Sequence, residues 1–414
     1  MNEPVKNITI ERETARVSSE TAILRKVLVH KPDYGIERVT PDSAVELLYE
    51  DIVHLPKMME EHDLFTEALS YFIGRDNVKE AGEILSSILR DENVKEELIH
   101  EVALFESLSP EIRKELFHMN ASLLASILIS GTDPAFSKKY FNPLPNFIFT
   151  RDTGVVINQH ILIGKAAKKA RGRESILCRY MYRYFDAGDH NALIELPDEK
   201  GMSIEGGDVM LLSPGHLLVA SSERTTEAAL DYLTRYLLDR NIVERVSRVA
   251  LPKLRYCMHL DTVFTRFDAR HYVGFSPLIS SRNVMPVQTR TANGITQRFA
   301  SINDMLYHED SQSIVISSGG GVSPFAEREQ WTDSCNLFAA RDGVAFAYDR
   351  NYHTNILLQQ HGYSLIEAAE LIGQFKTGEK LPEQIRKTII TIPSSELSRA
   401  RGGPHCMTMP LVRD

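Results

Sequence analysis

No apolar run in this chain approaches the roughly 18 residues needed to span a bilayer. The polar, mixed-charge opening Met1–Arg16 has no apolar h-region of the kind a secretory signal carries. Cysteine is scarce and scattered: Cys178, Cys257, Cys335 and Cys406 make no Cys-x-x-Cys pair. Four cysteines allow three disulfide pairings, but a large chain without an export signal favours reduced thiols and a cytoplasmic compartment. Positive charge is in deficit. With a formal net charge of -9, the chain lacks the Lys/Arg excess that neutralises nucleic-acid phosphates. Gly-x-Gly-x-x-Gly and Gly-x-x-x-x-Gly-Lys-Ser/Thr signatures after a strand are missing, as are His-x-x-x-His, His-Glu-x-x-His and paired-Cys zinc spacings. Nucleic acid, membrane and the usual nucleotides are set aside, and an acidic balance suits a cationic small substrate.

What is there reads as a folded globular chain: 414 residues, 43% hydrophobic and 25% charged, enough for a large single unit or two domains. Ile23–His30 clusters Ile, Leu and Val as a strand closed by Lys31-Pro32. From about Pro56 to Ser130 the pattern turns helical. Ile84, Leu85, Ile88 and Leu89 share one face, and Ser109-Pro110-Glu111 reads as an N-cap with proline at the first helical position. Residues 56–130 are therefore expected to be a separate all-helical insertion, between a first segment 1–55 and the remainder 131–414.

After Pro145 a unit of paired strands and a helix recurs at intervals of roughly 50–70 residues. Its first copy takes Phe147–Phe149, Val155–Ile157 and Ile161–Gly164 as strands and Arg173–Phe185 as helix. The second starts at Ile204-Glu205, with strands at Val209–Leu212 and Leu217–Ala220 and a helix over Thr225–Asp239. A third starts at His259, with strands near Val263–Phe267 and His271–Phe275. The fourth, near Trp331, carries the hairpin signal Asp342-Gly343 between Leu337–Ala340 and Val344–Tyr348. The N-terminal strand and the C-terminal segment supply a fifth. A closed ring of such units delivers each polar leading segment to one central channel, as propellers do. Gly319-Gly320-Gly321 reads as a flexible loop.

Polar clusters interrupt the strand patterns at Asn146–Asp152, Ile204–Asp208, Met258–Asp261 and Arg401–Cys406. Singly, each has an ordinary structural reading. Asp152 caps a turn, Glu205 with Gly206-Gly207 enters a strand, His259 is a bonded core histidine, and Cys406 is a small buried hydrophobe. Together they make chemistry. Strand alternation would put His259 and Asp261 on one face, where the carboxylate can share a ligand or raise the imidazole pKa. A thiolate, an imidazole and carboxylates are what nucleophilic substitution at an electron-poor sp² carbon needs. The same Glu205, Asp208, His259, Asp261 and Cys406 also carry metal-ligand atoms, without any zinc spacing among them.

Several motifs in order resemble one family, the arginine deiminases of the guanidine-modifying superfamily. They are Leu24–Pro32, Leu47–Asp51, Pro143-Leu-Pro-Asn-Phe-Ile-Phe-Thr-Arg-Asp152, Glu205-Gly-Gly-Asp208, Met258-His-Leu-Asp-Thr-Val-Phe264, Arg328-Glu-Gln-Trp331 and Arg401-Gly-Gly-Pro-His-Cys-Met-Thr-Met-Pro410. The resemblance implies a five-bladed α/β propeller of ββαβ-type repeats with a helical insertion. It implies Cys406 as nucleophile, His259 as general acid and base, Asp152 and Asp261 on the substrate guanidinium, and Glu205 contacting it and holding His259. Arg171 and Arg224 match the positions that hold the α-carboxylate, Asn146, Phe149 and Leu48 line the amino-acid end, and Arg401 matches a gating arginine on a mobile loop. For Arg171 the rival reading is a solvated basic face in the run Lys168–Arg173. The implied partner is free L-arginine, with no cofactor or metal, and a homodimer or homotetramer stays open. The alternative activity is that of an amidinotransferase or another guanidine hydrolase on the same fold. Two departures stand out. Ser334 replaces the family's usual glycine, which strains the backbone if φ is positive there. The nucleophile also lies close to the end of the chain, leaving little sequence after it to cover the site.

Overall fold

The structure is a computed structural model that describes residues 15–49, 51–135, 137–185 and 193–414. Among these residues the strands form five sheets with helices between them, a mixed α/β architecture. One pairing unit recurs. An antiparallel hairpin is followed by a helix, and the chain then returns parallel to the hairpin's second strand. Gly154–Ile157 and His160–Ile163 make such a hairpin, helix Gly172–Phe185 follows, and Leu193–Ile194 pairs parallel to the second strand. Val209–Ser213, His216–Ser221, helix Glu227–Asp239 and Arg245–Ala250 repeat it, and that sheet is extended by the antiparallel strands Val287–Thr291 and Thr296–Phe299.

Phe264–Arg266, His271–Gly274 and Ile314–Ser317 form the next copy. In the fourth, Phe338–Arg341 and Val344–Tyr348 pair with Thr388–Ile392, and Ser364–Glu367 adds the outer edge. The expected Asp342-Gly343 turn joins that hairpin, with Gly343 at φ 68, a region open to glycine because it has no Cβ. The two ends of the chain complete the last sheet. Leu24–Val29 lies between Met409–Arg413, antiparallel, and Val78–Glu80, parallel.

Alternate residues of a strand face opposite sides, and here the two sides feed different cores. Leu28 packs with one apolar cluster while Val27 and Val29 pack with another. Val209 and Leu211 separate in the same way from Met210 and Leu212, and Phe338 and Phe346 from Ala339 and Ala345. Each of these sheets is thus covered on both faces. The cores are shared between neighbours.

Four readings of the sequence need correction here. The stretch 56–130 is not all helix, because Val78–Glu80 is a strand beside Leu24–Val29. The long helix before it, Leu55–Ile73, contributes Phe65, Ala68 and Leu69 to the core shared by Leu24–Val29 and the hairpin Phe338–Arg341 and Val344–Tyr348. The helices Ala81–Ile88, Glu92–Glu106, Pro110–His118 and Ala121–Ser130 pack instead with the sheets of Gly154–Ile157 and Val209–Ser213. Phe147–Phe149 is no strand: Pro145–Ile148 is a 3-10 turn running into the short helix Thr150–Thr153. The three glycines from Gly319 form an ordered turn, with Gly319 buried and its N–H bonded to Thr354 Oγ1 at 2.9 Å. Ser334 is unstrained because the positive φ falls one residue earlier, on Asp333 at 63°. Its hydroxyl meets that of Ser318 at 2.6 Å.

None of the described helices is long and apolar enough to cross a membrane.

Candidate active site

Each unit's first strand is preceded by a short turn, and these turns carry the polar residues. Asp152 lies in Thr150–Thr153 before Gly154–Ile157. Glu205 precedes the turn Gly206–Asp208 and its strand. His259 is extended and Asp261 sits in the following 3-10 turn Leu260–Thr262. Cys406 precedes Met409–Arg413. Because equivalent positions point toward the same place, four distant segments meet. Asp152, Glu205, His259, Asp261 and Cys406 are all buried, as are Asn146, Phe149, Arg171, Arg224 and Arg401. Leu48 is half-buried at the mouth.

The Asp261 expectation needs revision in detail. A helical turn, not a strand, separates His259 from Asp261, so the two side chains diverge. His259 Nε2 meets Glu205 Oε2 at 2.9 Å, and its Nδ1 lies 3.5 Å from Asp152 Oδ1. Asp261 turns to the thiol: the Cys406 S–H donates to Asp261 Oδ2 at 3.4 Å, and His405 Nδ1 reaches the same oxygen at 2.9 Å. Burial alone would lower the His259 pKa, but Asp152, the Glu205 bond and Asp208 outweigh it and raise it to about 9. The neighbour that raises the imidazole is therefore not the one two residues away. Burial pushes the Cys406 thiol well up, and the charges of Asp261, Asp152 and Asp333 push it further. Burial would raise Glu205 too, yet the cations Arg171, His259 and Arg224 bring it down to about 2.

Arg171 is no solvated basic face. It is buried, with Nη1 on Asp152 Oδ2 at 2.7 Å and on Glu205 Oε2 at 3.1 Å, and Nε on Glu174 Oε2 at 2.9 Å. Arg224 stands 3.9 Å from Glu205 and donates from Nη2 to Met258 Sδ at 3.5 Å. Its Nε and Nη1 have no hydrogen-bond partner among the described residues, and neither have Asp152 Oδ1 and Asp261 Oδ1. Asn146 Nδ2 donates to Leu47 O at 2.7 Å, which ties the Leu48 loop to the site. Arg401, at φ 66, lays its guanidinium over the Trp331 ring, 3.4 Å from the centroid, a cation–π contact.

A cavity of about 20 Å³ remains among Leu48, Phe149, Asp152, Arg171, Arg401 and Cys406, space for little more than one water. The thiol is thus covered by loops from other units. Two glycines make the approach of these loops feasible. A Cβ on Gly207 would come 2.8 Å from the His259 ring, and one on Gly402 would come 2.2 Å from Phe149.

Three contributors escaped the sequence reading. Asn336 accepts from the Cys406 N–H at 2.9 Å and donates from Nδ2 to the sulfur at 3.2 Å and to Asp261 O at 2.9 Å. It leads the fourth unit just as Asp152 leads the first, so the repeat itself was the available signal. His405 bridges Asp261 to Glu20 at 3.2 Å, and Glu20 holds the buried Arg151 at 3.3 Å. No local pattern marks that pair.

Asp152, Glu205 and His259 each offer a ligand atom within 4.8 Å of the others and so form a candidate metal cluster. The Arg171 guanidinium already bonds both carboxylates, and a divalent ion there would have to compete with that fixed cation. The arrangement suits instead a planar cation held by carboxylates beside a thiol.

Comparison with known proteins agrees. The family model for arginine deiminase matches residues 131–413. The arginine deiminase of Bacillus thuringiensis subsp. konkukian (strain 97-27) is 31% identical, covering 96% of this chain and 98% of its own. That of Borrelia duttonii (strain Ly) is 29% identical with the same coverage, 96% and 98%. Among solved structures, an amidinotransferase from Microseira wollei superposes with a TM-score of 0.55 at 11% identity, over 96% of this chain and 97% of that one. A dimethylarginine dimethylaminohydrolase in an adduct with S-methyl-L-thiocitrulline gives 0.51 at 12% identity, over 94% and 99%. These two speak for the fold alone. The family model spans most of the sequence and the relatives align along nearly all of it; the chain belongs to the arginine deiminase family.

Proposed function

We propose that the protein hydrolyses free L-arginine to L-citrulline and ammonia through a covalent thiouronium on Cys406. The observation that carries this reading is a set of buried polar atoms without hydrogen-bond partners: carboxylate oxygens on Asp152 and Asp261 near the thiol, and guanidinium N–H groups on Arg224. Buried polar groups are nearly always bonded, so this set describes its missing ligand. A cation belongs at one end and an anion at the other.

The steps follow from the charges. An arriving guanidinium bonds the free oxygens of Asp152 and Asp261 and offsets the carboxylate field that keeps Cys406 protonated, so the thiolate becomes accessible. The Asn336 N–H on the sulfur favours the same charged form. Sulfur adds to the guanidinium carbon. His259, protonated in its carboxylate cage, gives its proton to the departing nitrogen, and ammonia leaves the tetrahedral adduct. The now neutral imidazole takes a proton from water, whose oxygen adds to the thiouronium carbon. Collapse expels the Cys406 sulfur, which takes up the hydroxyl proton of the adduct and so replaces the one the thiol released to solvent when the substrate bound, and citrulline forms. Glu205 orients the imidazole through its 2.9 Å bond. Arg224 and Arg171 receive the α-carboxylate, Asn146, Phe149 and Leu48 surround the amino-acid end, and Arg401 gates the mouth. No cofactor enters the scheme, and a reducing cytoplasm keeps the thiol available.

The same reading takes the five sheets as blades of a five-bladed α/β propeller with the central helices inserted. Its support is the repeated pairing unit, the closure of one sheet by both ends of the chain, and the sharing of strand faces between adjacent cores.

Purified protein should release ammonia and citrulline from L-arginine and none from agmatine or citrulline, with Cys406→Ala inactive. Turnover by that variant near the wild-type rate would remove the thiol mechanism. Transfer of the amidino group to an added amine, without ammonia release, would instead establish the amidinotransferase alternative.

A further inference from the structure

The loop that carries Arg401 is anchored by a carboxylate from a helix far away in the sequence. Glu61, on helix Leu55–Ile73, is 1% exposed. Its Oε1 accepts the Ser395 N–H at 2.9 Å and the Ser395 hydroxyl. Its Oε2 accepts the N–H groups of Glu396 at 3.0 Å and Leu397 at 2.9 Å. Three successive backbone N–H groups thus close around one anion. The 3-10 turn Leu397–Ala400 starts there and ends at Arg401, whose guanidinium lies on Trp331. A second clasp ties this loop to the segment Asp51–His54, which follows Leu48. Arg399 Nε meets Asp51 Oδ2 at 2.9 Å, and the His54 N–H donates to Glu396 Oε2 at 2.7 Å. Beneath this cover about 20 Å³ is open beside Cys406. Nothing the size of an amino acid reaches the thiol until the cover moves.

We propose that Glu61 is a positioning residue for this site: by capping residues 395–397 it holds Arg401 over the cavity and sets how often the site opens. Its meaning for turnover rests on the arginine-hydrolysis reading above. Glu61 does not line the cavity and acts through the loop. Bonds from N–H groups to a carboxylate are charge-assisted, which makes the covered state firm. In Glu61→Gln the side-chain amide turns a donor toward donors, so buried N–H groups lose their acceptor while the loop is down. With the loop lifted, water supplies that acceptor. The substitution therefore weakens the covered state relative to the open one. Glu61 holds the loop both before a substrate enters and after, so entry and release quicken together while affinity barely moves. Covers of this kind set the rates of entry and release in many enzymes.

Alkylation of Cys406 by iodoacetamide needs no substrate and reads the opening directly. It is followed by mass spectrometry in the full chain, with the buried Cys178 as internal control for unfolding. Glu61→Gln should label Cys406 about tenfold faster than wild type, by the same factor at every pH, with Cys178 unchanged. Ser395→Ala, at an exposed position, removes one bond without endangering the fold and should label about threefold faster. No increase in Ser395→Ala overturns the proposal, even if Glu61→Gln does not fold. Labelling of Cys178 in step with Cys406 overturns it by revealing global unfolding. A rise confined to one pH range overturns it too, by placing the effect on the charge of the thiol. Trp331, the chain's single tryptophan, gives a second reading through its emission. In Cys406→Ala protein that emission should respond to arginine about tenfold faster once Glu61→Gln is added, with affinity kept within about threefold. A loss of affinity at an unchanged rate contradicts the proposal. Failure of the hydrolase reading shows separately, as wild-type protein that releases no ammonia from arginine.

Discussion

Cys406 is a thiol in a hostile field. Burial disfavours its charged form, and the carboxylates of Asp261 and Asp152 add to that effect. A thiolate in the resting protein would be disfavoured by all of them, so Cys406 stays protonated unless a cation sits between. The difference in thiolate absorbance between wild type and Cys406→Ser, followed against pH, should therefore have its midpoint above the ordinary cysteine value of about 8.5. A midpoint below that value would contradict the burial and charge argument. Asn336 works in the opposite direction by donating to the sulfur. Asn336→Ala should raise the midpoint further, and it should lower stability by about 1–3 kcal/mol, since the buried Cys406 N–H loses its acceptor. Urea unfolding and the same absorbance titration read the two effects. Unchanged values in both would reduce Asn336 to a bystander.

At the scale of elements, the short turn ahead of each leading strand is the device that builds the site. A strand entering a sheet from a tight turn holds its last free side chains in fixed directions, because the backbone on both sides is already bonded. Asp152, Glu205, His259 and Asn336 all occupy such positions. Helix Leu55–Ile73 shows what sequence periodicity cannot say. Its apolar face is plain in the letters, but its packing partner is chosen by topology. Phe65 is fully buried and meets Phe346 edge-on at 5.2 Å. Phe65→Ala should cost about 3–5 kcal/mol of unfolding free energy, seen as a lower midpoint in denaturant. A loss under about 1 kcal/mol would mean that this helix is not part of that core.

The whole molecule is tied together at Glu20. This residue links the start of the described chain to Arg151 in the first hairpin unit and to His405 beside Cys406. Burial opposes its charge, but Arg151 and His405 overcome that and hold its pKa far below the usual carboxylate range. A depressed acid stabilises the fold above its unfolded pKa, and that contribution disappears as pH falls through the folded one. Glu20→Gln strands Arg151 and should be less stable at pH 7 by about 3–5 kcal/mol. The gap between the two proteins should close progressively below pH 4.5. Thermal melts at pH 7 and in acid check this; a gap independent of pH would show that the ion pair is not responsible.

Much of the fold was legible from local chemistry. Hairpins such as the one at Asp342-Gly343, the Ser109 cap on Ile112 N–H at 3.4 Å, and the recurrent strand–helix units depend on residues within a few positions of each other. The ordered motifs likewise named the family before any coordinate. Tertiary structure alone decided that Asp261 serves the thiol and not the imidazole, that Asn336 cradles Cys406, and that Arg171 rests on Asp152 and Glu205. The reason is one of range. Backbone preference acts over a few residues, whereas the direction of a buried charged side chain is set by desolvation and by counter-charges that arrive from segments far away along the chain.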